Sequence, residues 1–133
     1  FELKNIKKKN IILYFYPKDD TPGCTLESKD FSKLNSMINK KNTIVYEISK
    51  DSIESHLKFK KKHKLKFDLL SDQDLNVIKK YGVWGMKSFL GKKFMGVIRS
   101  TFLINSKGKI HKIWSNVRVK DHAKSVLDEI MHI

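Results

Sequence analysis

Ile11-Ile12-Leu13-Tyr14-Phe15-Tyr16-Pro17-Lys18-Asp19-Asp20-Thr21-Pro22-Gly23-Cys24 is the stretch on which the reading of the fold turns. Its first six residues form a short, continuous apolar run, β-branched and aromatic, halted at Pro17. Such a run reads as a strand buried on both faces, the central position of an α/β sheet. A helix should follow closely, because Leu26, Phe31, Leu34, Met37 and Ile38 recur at helical spacing and Lys40-Lys41-Asn42 supplies a basic, turn-prone end. The fourteen residues therefore carry the chain from a buried strand, through a proline-bounded loop, into the first turn of a helix.

Working outward, Thr43-Ile44-Val45-Tyr46-Glu47-Ile48-Ser49 reads as a second buried strand, parallel to the first because a helix joins them. Ser52 to Lys64 is polar and Lys-rich, with Ile53, His56 and Leu57 as its least polar members, and predicts a surface helix. Phe67-Asp68-Leu69-Leu70 is a short strand candidate. Leu75, Ile78 and Tyr81 mark another helix, with Asp72 or Asp74 to cap its start and Gly82 at the left-handed position after its end. Val97 to Ile104 and Lys109 to Trp114 flank Asn105-Ser106-Lys107-Gly108, which predicts an antiparallel hairpin. Val119, Ala123, Val126, Leu127 and Ile130 trace a closing amphipathic helix. The order predicts an α/β thioredoxin-like fold, a central mixed β-sheet flanked by helices on both faces.

The 133 residues are expected to form one domain, 1–133, since a chain of this length buries roughly two thirds of its unfolded surface. No apolar run reaches membrane-spanning length. The opening Phe1-Glu2-Leu3-Lys4 has neither signal-peptide order nor an initiator Met, so an N-terminal truncation is expected and targeting segments could lie outside the chain. The formal charge of +14 attracts polyanions. Of the twenty-eight Lys plus Arg residues only Arg99 and Arg118 are arginine, a bias that codon composition explains. Lys7-Lys8-Lys9 and Lys58 to Lys66 are dense enough to read either as nucleic-acid or chromatin patches or as a solvated face. The five histidines show no ligand spacing, so no metal or other cofactor is expected. Trp84 and Phe89 read as core packing ahead of a pocket wall or dimer face.

One cysteine excludes an intrachain disulfide and the C-x-x-C redox motif, and points to a reducing compartment, cytoplasm or nucleus. Cys24 falls on the first helical turn at the C-terminal edge of the sheet, where open α/β folds place ligands. Unpaired backbone N–H groups and the positive end of the helix dipole there favour thiolate over thiol. A lone Cys is also often a small buried hydrophobe, so an inert role stays open on this ground alone. Gly23 removes a side chain beside the sulfur, Thr21 offers a hydroxyl, and Pro17 and Pro22 fix the loop backbone.

Pro17, Thr21 and Cys24 match the P-x-x-x-T-x-x-C signature, and the string from Tyr14 to Glu27 resembles the peroxiredoxins, within them the peroxiredoxin Q or bacterioferritin comigratory protein subfamily. Leu69 to Asp72, Tyr81 to Gly85, Arg99 to Ile104 and Gly108 to Ile110 resemble that subfamily in the same order, so nearly the whole chain is covered. The resemblance implies a thiol peroxidase reducing hydrogen peroxide and organic hydroperoxides. Cys24 would be the attacking cysteine, the Thr21 hydroxyl would bond the peroxide, Pro17 would shield the pocket from water, and Arg99 would be the essential arginine. Arg99 suits that role, since its planar donor fork holds a thiolate and polarises a peroxide together. Arg118 reads as ordinary surface charge.

One position departs from the subfamily. Many members carry a resolving cysteine five residues after the attacking one, where this chain has Lys29. The sulfenic acid must then be recycled by an external thiol, thioredoxin, glutaredoxin or glutathione. The expected partners are that reductant and the hydroperoxide, with a monomer or weak dimer as the assembly. The alternative is a basic nuclear module using Cys24 as a redox sensor.

Overall fold

A computed structural model describes residues 8–132. Strand β1 (Asn10–Phe15) is buried at all six positions and lies at the centre of a five-stranded sheet, as its unbroken apolar run requires. The N-terminal residues used to infer truncation, and Lys7 of the first lysine cluster, lie outside the described residues. Helix α1 (Pro22–Lys40) follows, with Pro22 at its start, where a missing N–H costs nothing. Then come β2 (Thr43–Ser49), α2 (Ile53–His63), β3 (Asp68–Ser71), α3 (Asn76–Lys80), the hairpin β4 (Trp84–Phe89) and β5 (Lys92–Val97), β6 (Ser100–Ile104), β7 (Ile110–Trp114) and α4 (His122–Ile130).

The main sheet runs β3-β2-β1-β6-β7, with β1, β2 and β3 parallel and β6 and β7 antiparallel, as the alternation of signals predicted. Because side chains alternate across a strand, the sheet carries two apolar clusters. Ile12, Tyr14, Tyr16, Val45 and Leu103 meet α1, α2 and α4 on one face, while Ile11, Leu13, Phe15, Ile48 and Phe102 meet α3 and the base of the β4–β5 hairpin on the other. Capping follows the sequence. Ser52 accepts the Ser55 N–H at 3.1 Å to start α2, the Asp72 carboxylate accepts the Ile78 N–H at 2.7 Å above α3, and Gly82 takes φ +70° after it.

Four readings are corrected. Residues 84–97, of which only Val97 carried a strand expectation, form a second two-stranded sheet closed by Leu90-Gly91, both at positive φ, the backbone of a primed hairpin turn. Phe89 is consequently 66% exposed on that hairpin rather than packed in the core, although Trp84 does pack against the second cluster. The predicted strand from Val97 to Ile104 is broken, so Arg99 sits between β5 and β6. On the helices, Leu26 and Met37 of α1 and Ile53 and Leu57 of α2 are all more than half exposed; α2 buries His56 and Phe59 instead. Helical spacing identified an amphipathic pattern without fixing which stripe turned inward.

Candidate active site

One layer of side chains crosses the whole sheet on the face under α1. The register aligns Leu69, Glu47, Tyr14, Thr101 and Trp114 from β3, β2, β1, β6 and β7, and the three central members are polar. Tyr14 is buried and stacks beside Tyr16 and Phe31. Burial holds its phenol far above the usual range, so it stays neutral. Thr101 Oγ1 and His122 Nε2 share a 2.7 Å hydrogen bond beneath α4, and burial followed by the Arg99 charge pushes His122 down to about 4. His122 is thus neutral at physiological pH.

Above this floor lies Cys24, on the first turn of α1 and fully buried. Arg99 bridges floor and helix: Nη1 donates to the Tyr14 hydroxyl at 2.5 Å, and Nη2 donates to Cys24 Sγ at 3.1 Å. The guanidinium also lies 5.9 Å from the centre of the Tyr14 ring. The arginine packs directly against Gly23, where a Cβ would stand at van der Waals contact, 3.4 Å from Arg99 Nη2. The first turn of a helix leaves its N–H groups without intrahelical partners, so the sulfur faces donors from backbone and side chain. Thr21 is the residue that begins α1, and its hydroxyl donates to the Lys18 carbonyl at 2.9 Å rather than capping the helix, which leaves its lone pairs free to accept. Pro17 is half-buried at the end of β1. Of the sequence-predicted site residues, Cys24 and Arg99 are in direct contact, while Thr21 and Pro17 belong to the same loop. Arg118 and Lys29 are exposed.

A family model described as the AhpC/TSA family matches residues 1–113. The chain belongs to that family and is a peroxiredoxin. It is 47% identical over 128 residues to a putative peroxiredoxin bcp of Helicobacter pylori, covering 96% of this chain and 84% of that protein, and 43% identical to peroxiredoxin Bcp of Bacillus subtilis, covering 97% and 82%. Among solved structures, the bacterioferritin comigratory protein of Xanthomonas campestris, studied for alkyl peroxide reduction, superposes with a TM-score of 0.94 at 35% identity, covering 99% of this chain and 84% of that one. The function of this peroxiredoxin is that of a thiol peroxidase. The relatives named here are bacterial, and a nuclear address gains no support from them. Several lysines of α2 pair locally, Lys60 with Asp68 at 2.8 Å and Lys62 with Asp20 at 2.6 Å. No helix among the described residues is long and apolar enough to cross a membrane.

The candidate site also contains groups that sequence reasoning missed. Glu27, one helical turn after Cys24, and Glu47 on β2 are both fully buried. Ser28 donates to Glu47 Oε1 at 2.6 Å, while Glu47 Oε2 and both oxygens of Glu27 have no partner among the described residues. Burial and then Glu47 push Glu27 up to about 9, and burial pushes Glu47 up to about 8 against the Ser28 bond and the Arg99 charge. Both carboxyls are therefore neutral at physiological pH. A glutamate inside an otherwise apolar strand was the available signal for Glu47; Tyr14 gave none beyond its place in the apolar run.

A second polar knot joins the α1 loop to α2. Asp19 accepts hydrogen bonds from Tyr16 at 2.5 Å and Ser55 at 2.8 Å and pairs with His56 Nδ1 at 2.7 Å. Burial alone would raise the Asp19 carboxyl, but the bonds from His56, Tyr16 and Ser55 outweigh it and hold the group below the usual range. The knot anchors the loop that carries Thr21.

Proposed function

We propose that Cys24 is the peroxidatic nucleophile and that this protein runs as a one-cysteine peroxidase. The observation that carries the assignment is the 3.1 Å contact between Arg99 Nη2 and Cys24 Sγ at the first turn of α1. A guanidinium pinned by Tyr14 on one side and directed at the sulfur on the other stays charged throughout and aims a donor at the attacking atom. The thiolate attacks one oxygen of the hydroperoxide, the other oxygen leaves, and Cys24 becomes a sulfenic acid. Thr21 Oγ accepts the peroxide O–H, and Pro17 limits water at the mouth. Arg99 and the free N–H groups of the α1 turn stabilise the charge moving along the S–O–O axis.

Cys24 is the sole cysteine, so the sulfenic acid is returned to thiol by an external reductant of the thioredoxin, glutaredoxin or glutathione class. Because Cys24 is fully enclosed, that thiol reaches the sulfur only when the first turn of α1 opens. Cys24→Ser tests the assignment: peroxide consumption should vanish while the far-UV circular dichroism stays unchanged, since a hydroxyl does not supply the anion. Turnover retained by the Ser variant would overturn it.

A further inference from the structure

The outer part of the β4–β5 hairpin turns its apolar residues to solvent. Met86, Phe89, Leu90, Phe94 and Met95, five of the ten residues from 86 to 95, are each at least 46% exposed. Exposed apolar side chains on a soluble protein are ordinarily scattered singly, so a cluster of this kind marks a contact surface. Both faces of the ribbon carry it. The cross-strand pair Met86 and Met95 lies on one face, Phe89 and Phe94 lie on the other, and Leu90 stands at the tip between them. The base is braced, since the Ile98 N–H donates to the Val83 carbonyl at 2.7 Å and the Lys87 ammonium to the Val97 carbonyl at 2.9 Å.

Leu90 takes a φ of +51°, a conformation that Gly or Asn adopts more readily, yet it stands almost wholly in water. Neither turn geometry nor packing within the chain accounts for a leucine there. Charge supplies the second observation. From Leu75 to Lys120 the sequence holds nine lysines and two arginines and no aspartate or glutamate. Lys92 and Lys93 flank the tip, one on each face, and neither forms an ion pair among the described residues, unlike Lys60 and Lys62 of α2.

We propose that the hairpin docks this protein end-on into an anionic phospholipid surface, with Phe89, Leu90 and the neighbouring apolar side chains entering the headgroup and acyl boundary and Lys92 and Lys93 meeting lipid phosphates. The outer three residues of each strand reach about 10 Å, which matches the depth to which interfacial elements enter without spanning. Lysine stems suit the position, apolar along their length and charged at the end. A protein partner covers one face of such a ribbon and leaves the other in water, whereas lipid surrounds a tip on all sides. A second copy would bring one acid-free cationic tip against another. Nucleic acid answers the lysines but not Leu90, Met86 and Met95, which offer a base no ring to stack on.

The test is co-sedimentation of the full chain with vesicles of phosphatidylglycerol or of phosphatidylcholine. The chain should sediment with the first and stay in solution with the second. Leu90→Asn suits the turn and keeps the charge, and it should weaken binding about tenfold, as should the double variant Lys92→Gln with Lys93→Gln. Leu57→Asn, an exposed apolar residue of α2, and the double variant Lys60→Gln with Lys62→Gln, which makes the same change of charge there, should bind as the unsubstituted chain does. Absence of sedimentation with phosphatidylglycerol, equal sedimentation with phosphatidylcholine, undiminished binding of Leu90→Asn, or equal losses in the α2 variants would each overturn the proposal. Tighter binding of a DNA duplex that Leu90→Asn leaves unchanged would overturn it too, by assigning the lysines to nucleic acid.

Discussion

Arg99 is gripped at both ends of its fork, by Tyr14 and by Cys24, and that geometry separates it from a generic cation. Lysine keeps the charge but loses the second donor direction, so Arg99→Lys should lower the rate of peroxide reduction about 10²–10³-fold in stopped-flow traces. Arg118→Lys, exposed and with no part in these two contacts, should be silent. The lone thiol sets a second expectation. Excess peroxide without reductant should add two or three oxygens to Cys24 by intact mass, because no second cysteine traps the sulfenic acid. Cys24 and Arg99, which the structure brings into contact, stood out in the sequence because a cysteine at a helix start and a rare arginine in a lysine-rich chain are conspicuous as residues. Tyr14, Glu27 and Glu47 were not, because their importance is relational: Tyr14 matters through the atom it offers Arg99, and that pairing joins positions 85 residues apart.

At the scale of elements, strands declared themselves more clearly than turns. The central run of β1 and the Asn105 to Gly108 turn were plain in sequence, whereas the β4–β5 hairpin was hidden. Its turn uses Leu90, 87% exposed at positive φ, where Asn or Gly is usual, and much of its surface stays in water, so neither turn chemistry nor a buried alternation marked it. The hairpin nevertheless bears on the site. A Cβ on Gly85 would stand 2.7 Å from Ile98 Cδ1, immediately before Arg99. Gly85→Ala should therefore shift the β5–β6 connection and weaken peroxide reduction several-fold, with a stability loss of about 1–3 kcal/mol in urea unfolding. Gly91→Ala, where a Cβ meets no atom within 4 Å but the φ of +78° is strained, should cost about 1 kcal/mol and leave the peroxide rate intact. Equal activity losses in the two variants would show that the Ile98 contact does not position the arginine.

For the whole molecule, two sets of buried groups bound the pH range of stability from opposite sides. Glu27 and Glu47 have carboxyls raised from 4.5 to about 9 and about 8, so from pH 4.5 upward the folded chain holds protons that the unfolded chain has lost. Stability should fall as pH rises through that window, by up to about 1.4 kcal/mol per pH unit for each group. His122 is lowered from 6.5 to about 4, so its contribution is present above 6.5 and is lost as pH falls toward 4. Urea midpoints measured from pH 4 to 9 should show both declines. Glu47→Gln, which keeps the shape without the ionisation, should flatten the alkaline one. An unchanged alkaline slope in that variant would mean that Glu47 is already ionised in the fold.

The row of side chains from Leu69 to Trp114 ties catalysis to strand alignment. Were β6 to slide one residue along β1, Phe102 would take the place of Thr101, His122 would lose its partner, and Arg99 would be carried with the strand away from Tyr14. Such a misaligned isomer could keep its helices and much of its spectrum while being chemically silent. The initial velocity of peroxide reduction is therefore a gauge of correct assembly, and during refolding it should rise only when the last strand locks into place.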